Sequence, residues 1–228
     1  MSSNFHSDGT LFIVSGPSGA GKTTLIQGVR DQLQALGIEL YFSVSHTTRR
    51  ARTGEIPGFH YYFVDDEEFS GMVGRGEFLE CAHVHAHRYG TSRAEVVDRL
   101  KQGQDVILDI DYQGAKQIAS NPDLRSRSLS VFIFPPSLDS LRQRLTGRGL
   151  NTEEEIDLRL RKAIDEIDEG KDFYDYIIIN DHLDVATECL KAAIIAKKLQ
   201  TKTALEAIAK MAERLKEEDR NGRTAGRD

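Results

Sequence analysis

The chain has 228 residues, with 36 acidic and 30 basic side chains giving a formal net charge of −6. That length supports one α/β domain with subsidiary excursions and a core needing no covalent staples. The net acidity excludes a broad electrostatic footprint for polymeric nucleic acid, which needs a basic surface, but leaves room for a mononucleotide held by a few arginines. Cys81 and Cys189 are too few and too far apart for a disulfide framework, so a reducing, cytoplasmic setting is expected. The polar stretch Met1–Thr10 lacks the layout of a signal peptide, and no apolar run is long enough to span a bilayer.

The first predicted strand is Leu11–Val14. It runs into Gly16-Pro17-Ser18-Gly19-Ala20-Gly21-Lys22-Thr23 and then an amphipathic helix over Thr24–Leu36, ended by Gly37. Strand, glycine-rich turn and helix start therefore come in the order of a phosphate-binding P-loop. Its glycines let backbone N–H groups approach an anion, and the helix adds the positive end of its dipole. Lys22 can reach the β- and γ-phosphates and Thr23 can offer its hydroxyl to Mg²⁺, so a nucleoside triphosphate is the expected ligand.

A second strand over Ile38–Val44 leads into Ser45–Arg50. From there to about Ser92 short alternating stretches, His60–Val64 and Glu77–Cys81, predict antiparallel strands of a small inserted β unit. Arg93–Lys101 is expected to be helical. Apolar runs at Val106–Ile110, Ser130–Phe134 and Tyr176–Ile179, separated by helical patterns, predict a parallel sheet flanked by helices. A second excursion follows Pro135-Pro136, with a helix capped by Ser137 through Leu145, a break at Gly147-Arg148-Gly149, and a helix opened by a Thr152/Glu155 capping box. Leu183–Leu199 is the last packed helix, followed by a helix-prone tail to near Glu218 and a polar end.

Several constellations carry possible chemistry. Asp109 and Asp111 end an apolar strand, where ligands of open α/β sheets sit and where acids position Mg²⁺ in P-loop enzymes; spacing leaves open which faces metal and which substrate. Arg49, Arg50 and Arg52 suit a phosphate, or a solvated loop. Arg142, Arg144, Arg148, Arg159 and Arg161 surround the glycine break. They fit a mobile lid that neutralises a transferring phosphoryl group, or a salt-bridged helix surface with Glu153–Glu155 and Asp157. Cys81, His83, His85 and His87 alternate and so would share one face of a strand, but no flanking ligand clusters accompany them, and no tightly bound protein metal is expected. Tyr61 and Tyr89 suit either phosphate contact or half-buried strand positions.

Taken together, the P-loop Gly16–Thr23, Phe42–Arg49, Gly54-Glu55, Tyr61, Phe78-Leu79-Glu80, Tyr89-Gly90-Thr91-Ser92, Leu108–Gly114, Phe134–Ser137, Gly147–Gly149 and Ile179-Asn180-Asp181 resemble the guanylate kinase family in serial order. The resemblance implies a P-loop NTPase core over residues 1–44, 93–136 and 170–199. It implies a GMP-binding insertion over 45–92 and a lid over 137–169, leaving a helical tail over 200–228. It further implies Mg²⁺-dependent in-line transfer of the ATP γ-phosphoryl group to GMP, giving ADP and GDP. ATP would lie on Gly16, Pro17, Ser18, Gly19, Ala20, Gly21, Lys22 and Thr23, with Asn180 near the adenine. Ser45, Glu80 and Thr91, helped by Asp109 or Asp111, would read guanine: Glu80 accepts from N1–H and the 2-amino group, and the hydroxyls donate to O6. Arg49, Arg52, Tyr61 and Tyr89 would grip the GMP phosphate, and Lys22, Arg144, Arg148 and Arg159 would be catalytic. ATP and GMP are the expected partners, without nucleic acid or membrane, and homo-oligomerisation is left open. One departure stands out: Ala86-His87-Arg88-Tyr89-Gly90 replaces the family's common Gly-Asn-Tyr-Tyr-Gly turn.

Overall fold

The apolar runs at Leu11–Val14, Val106–Ile110 and Ser130–Phe134 become strands buried on both faces, whereas Tyr176–Ile179 forms an edge strand in which only Ile178 is buried; amphipathic stretches become the helices that cover the sheet. The computed structural model describes residues 9–84, 86–147, 152–170, 173–200, 208 and 211–213. Its elements run β1 (Leu11–Ser15), α1 (Lys22–Ala35), β2 (Leu40–Phe42), β3 (His46–Thr47), β4 (Tyr62–Phe63), α2 (Asp66–Gly74), β5 (Phe78–Val84), β6 (His87–Ser92) and α3 (Arg93–Lys101). They continue with β7 (Asp105–Asp109), α4 (Tyr112–Ala119), α5 (Pro122–Ser126), β8 (Ser128–Phe134), α6 (Leu138–Gly147), α7 (Glu153–Gly170), β9 (Tyr176–Ile179) and α8 (Leu183–Lys198).

The principal sheet has the order β2-β7-β1-β8-β9, and every pairing in it is parallel. Central strand β1 divides its side chains by the two-residue period of a strand. Phe12 and Val14 join Leu25, Val29, Leu33, Leu190 and Ile194 beneath α1 and α8. Leu11 and Ile13 join Val96, Leu100, Ala115 and Ile118 beneath α3 and α4. The C-terminal ends of β1, β7 and β9 thus deliver the P-loop, Asp109 and Asn180 to one edge of the sheet, where open α/β folds bind ligands.

The inserted unit is a second sheet, ordered β4-β3-β6-β5. Strands β5 and β6 pair antiparallel, as expected, but β4 runs parallel to β3 and is only two residues long. The unit also contains a helix, α2, that the alternating pattern did not suggest. Asp65 caps it by accepting from the Glu68 N–H at 2.7 Å, and Asp66, Glu67 and Glu68 fill its first turn. Helices α6 and α7 pack through Leu141, Leu145, Ile156 and Ala163. The capping box at the start of α7 forms in both directions: Thr152 N–H donates to Glu155 (3.0 Å), and Glu155 N–H to the Thr152 hydroxyl (3.3 Å). Ile208 and Met211–Glu213 are helical and exposed, while the rest of the tail lies outside the described residues. Among the described residues no helix is long and apolar enough to cross a membrane.

Candidate active site

The P-loop takes its shape from three glycines at positive φ: Gly16 (140°), Gly19 (98°) and Gly21 (93°). A Cβ at Gly16 would lie 2.1 Å from the Ile133 carbonyl oxygen, and one at Gly21 would lie 2.5 Å from Asn180 Nδ2, so neither position admits a side chain. Gly21 leads directly into α1 with no side-chain cap, so the first N–H groups of the helix are left for an anion. Lys22 Nζ donates to the Gly16 carbonyl at 2.8 Å and sits 3.7 Å from Asp109. The Thr23 hydroxyl donates to Asp109 Oδ2 at 2.8 Å. A hydroxyl and a carboxylate together beside the phosphate loop are an all-oxygen donor pair of the kind a hard Mg²⁺ ion takes, and these residues fit that ion.

The loop is braced from behind. Asn180, only 5% exposed, donates its side-chain amide to the Ala20 carbonyl at 2.8 Å. Arg144 donates to the Asn180 carbonyl (2.8 Å) and the Ala20 carbonyl (3.4 Å). Arg159, on α7, donates to the Ser18 hydroxyl at 2.8 Å. Arg142 instead pairs with Glu153 and Asp157, joining α6 to α7 as a salt-bridged surface.

Glu80, on the edge strand β5 of the inserted sheet, is 4% exposed. Burial, helped by the nearby Asp111 carboxylate, pushes its pKa up to about 7 against the opposing pull of a hydrogen bond from Thr91. The Thr91 hydroxyl, fully buried, donates to Glu80 Oε1 at 2.5 Å. Asp111 caps α4, accepting from the Gly114 N–H at 2.9 Å, and burial raises its pKa as well. The two acids left undivided by the sequence are thereby separated: Asp109 faces Lys22 and Thr23, and Asp111 lies beside Glu80. Arg49 forms a two-pronged pair with Glu55 (2.8 and 2.9 Å) and lies over the Tyr61 ring. Glu55 also accepts from the Arg52 N–H at 2.7 Å, so one carboxylate shapes the basic loop. Tyr61 and Tyr89 meet edge to face, and burial pushes the Tyr61 phenol to about 12, keeping its proton in place as a donor.

One cavity of about 540 Å³ is lined both by P-loop residues Gly16–Gly19 and Gly21 and by Ser45, Arg49, Arg52, Tyr61, Glu80 and Tyr89. Lys22, Thr23, Asp109, Asp111 and Arg159 lie on its walls. Ala20, Thr91, Arg144 and Asn180 do not line it; they support groups that do. Arg148 lies outside the described residues. The cavity also takes Lys162, Asp165, Glu166 and Glu169 from α7 and Tyr112 and Gln113 from α4, none of which the sequence singled out as site residues. The signal for the α7 set was its spacing: Arg159, Lys162, Glu166 and Glu169 recur at helical intervals as a polar stripe. Glu166 is pushed up to about 7 by burial, opposed by Lys22 and Lys162, and its Oε2 is buried without a hydrogen-bond partner among the described residues.

The alternating Cys81, His83, His85 and His87 do not share a face. His87 pairs across the hairpin with Val84 and therefore points with Val84, opposite to Cys81 and His83, while His85 lies outside the described residues. No metal-binding group of three or more His, Cys, Asp or Glu forms among the described residues.

A parallel sheet carrying a P-loop at the C-terminal end of its central strand defines a P-loop NTPase. Residues 8–197 match the family model described as guanylate kinase. The guanylate kinase of Pseudomonas fluorescens (strain Pf0-1) is 46% identical over 197 residues, covering 86% of this chain and 92% of its own. That of Shewanella oneidensis is 46% identical over 191 residues, covering 84% and 89%. Among solved structures, a guanylate kinase from Anaplasma phagocytophilum superposes with a TM-score of 0.68 at 32% identity, covering 86% of this chain and 89% of that one. The chain belongs to the guanylate kinase family.

Proposed function

We propose that this chain catalyses transfer of the γ-phosphoryl group of ATP to GMP, giving ADP and GDP. The observation that carries the reading is one cavity lined both by a phosphate loop and by a buried, guanine-compatible carboxylate. Glu80 accepts from guanine N1–H and the 2-amino group, Ser45 donates to O6, and Thr91 acts through Glu80 by fixing its carboxylate. Adenine offers neither donor in those places, and the polar groups it would leave unpaired penalise it.

Arg49, Arg52, Tyr61 and Tyr89 hold the acceptor phosphate. The P-loop amides and Lys22 hold the β- and γ-phosphates of ATP, and Arg159 on α7 faces the same phosphates from above. Thr23 and Asp109 would hold Mg²⁺, which when bound neutralises phosphate charge and fixes its orientation. The acceptor phosphate oxygen is already anionic near neutral pH, so no strong general base is assigned. Catalysis by these residues is alignment and charge neutralisation. Residues 137–169, carrying Arg144, Arg148 and Arg159, form the covering lid, and 45–92 form the acceptor-binding unit. The free thiols Cys81 and Cys189 suit a reducing cytoplasm, to which we assign the reaction.

The test is an acceptor panel: ATP with GMP, AMP, UMP or no acceptor, followed by ADP formation. Turnover is expected with GMP, reduced about a hundredfold or more with AMP and UMP. Equal ADP formation with and without acceptor would instead define a hydrolase, and no turnover at all would leave a nucleotide-binding scaffold.

A further inference from the structure

The edge strand β5 carries Glu80, and among the described residues no strand pairs with its outer side. An unpaired strand edge ordinarily leaves its N–H and C=O groups to solvent. Here two glutamines of α4 occupy it. The Gln117 side chain accepts from the Cys81 N–H at 3.1 Å and donates to the Cys81 carbonyl at 2.7 Å, reproducing both bonds of a strand residue. Gln113 donates to the His83 carbonyl at 3.3 Å. The repeats match: four residues of helix rise about 6 Å, and two residues of strand span about 7 Å. Successive helical turns therefore meet successive outward-facing strand residues, with α4 antiparallel to β5. Between the two glutamines, Gly114 passes so close that a Cβ there would lie 2.3 Å from Glu80 Oε2. The same helix is capped by Asp111, two residues after Asp109, which holds Lys22 and Thr23.

We propose that Gln113 and Gln117 are positioning residues for guanine recognition. They clamp β5 to α4 and so fix the distance and orientation of the Glu80 carboxylate relative to the P-loop. This rests on the reading of GMP as acceptor. Neither glutamine need touch the nucleotide base, and neither role follows from the P-loop or the arginines.

The experiment uses the full chain with Gln117→Met and Gln113→Met, singly and together; methionine keeps length and loses the hydrogen bonds. KM for GMP at saturating ATP is expected to rise about tenfold in Gln117→Met and further in the double variant. KM for ATP should stay within about twofold of wild type, and the preference for GMP over AMP should fall. Amide hydrogen exchange at Cys81, protected in wild type, should accelerate in the same variants. If Gln117→Met does not fold, Gln117→Glu decides. It keeps the acceptor for the Cys81 N–H and sets a lone pair against the Cys81 carbonyl, so it should raise KM for GMP without moving KM for ATP. Unchanged KM for GMP in folded variants of an enzyme that uses GMP overturns the proposal alone, as does a fall in kcat with both KM values unchanged. Wild-type protein inert towards GMP overturns the substrate reading and the proposal with it.

Discussion

The proposed role of Glu80 in reading guanine would couple substrate recognition to pH. Its pKa of about 7 in the fold lies above the ordinary value of 4.5, so the folded chain holds a proton that the unfolded chain has lost between those values. The associated stability is present in full below pH 4.5 and is lost as pH rises through 7, up to about 3 kcal/mol. Glu80→Gln cannot ionise and escapes this loss, so the ligand-free variant should exceed wild type in stability at pH 8 and converge with it near pH 5, as thermal unfolding across pH will show. Guanine's donors favour the ionised carboxylate, so GMP binding should release a proton, and KM for GMP should fall about tenfold between pH 6 and 8. The GMP phosphate titrates near pH 6 as well, which makes the difference between wild type and Glu80→Gln the informative quantity. The same pH slope in both proteins would remove Glu80 from recognition. At this scale the P-loop was fully legible, because its chemistry fixes residue types at fixed spacing. Thr91 was legible as a position but not in its orientation, since only the folded hairpin turns its hydroxyl onto Glu80.

Among the elements, α2 shows what the substitution of Arg88 into the family's turn achieves. Arg88 donates to the Asp66 carbonyl (2.6 Å), the Asp66 carboxylate (2.9 Å) and the Ser70 hydroxyl (3.0 Å), and its guanidinium lies over the Phe69 ring. It ties β6 to a helix that packs Phe69 against Phe78 at the start of β5. Arg88→Ala is expected to cost about 1–2 kcal/mol of stability and to weaken GMP use while leaving KM for ATP unchanged, which denaturant unfolding and steady-state kinetics will measure. The helix itself carried a readable start in Asp65 and the acids that follow. It went unread because the surrounding alternation favoured strands and the helix is short. The contacts of Gln113 and Gln117 had no local signal, for they join segments 30 and 36 residues apart. The parallel strands β1, β7 and β8, by contrast, were visible as apolar runs because burial on both faces leaves no polar alternation.

For the molecule as a whole, the site and the stability of the sheet are set at opposite ends of the strands. At the end remote from the cavity, buried Asp105 accepts from the Thr10 N–H at 2.9 Å and pairs with Lys198 at the end of α8. Asp105→Ala strands both partners and should cost about 2–4 kcal/mol, lowering Tm by roughly 5–10 °C. Both KM values should remain at wild-type levels, and a changed KM would mean that the two ends communicate. The parallel order of the sheet also separates in sequence what it joins in space. The Ala20 carbonyl is held by Asn180, 160 residues further along the chain. At translation speeds of about 5–20 residues per second, the brace is synthesised roughly 10–30 s after the loop it supports. A nascent chain therefore carries its glycine-rich turn without this brace until the last strand of the sheet has been made.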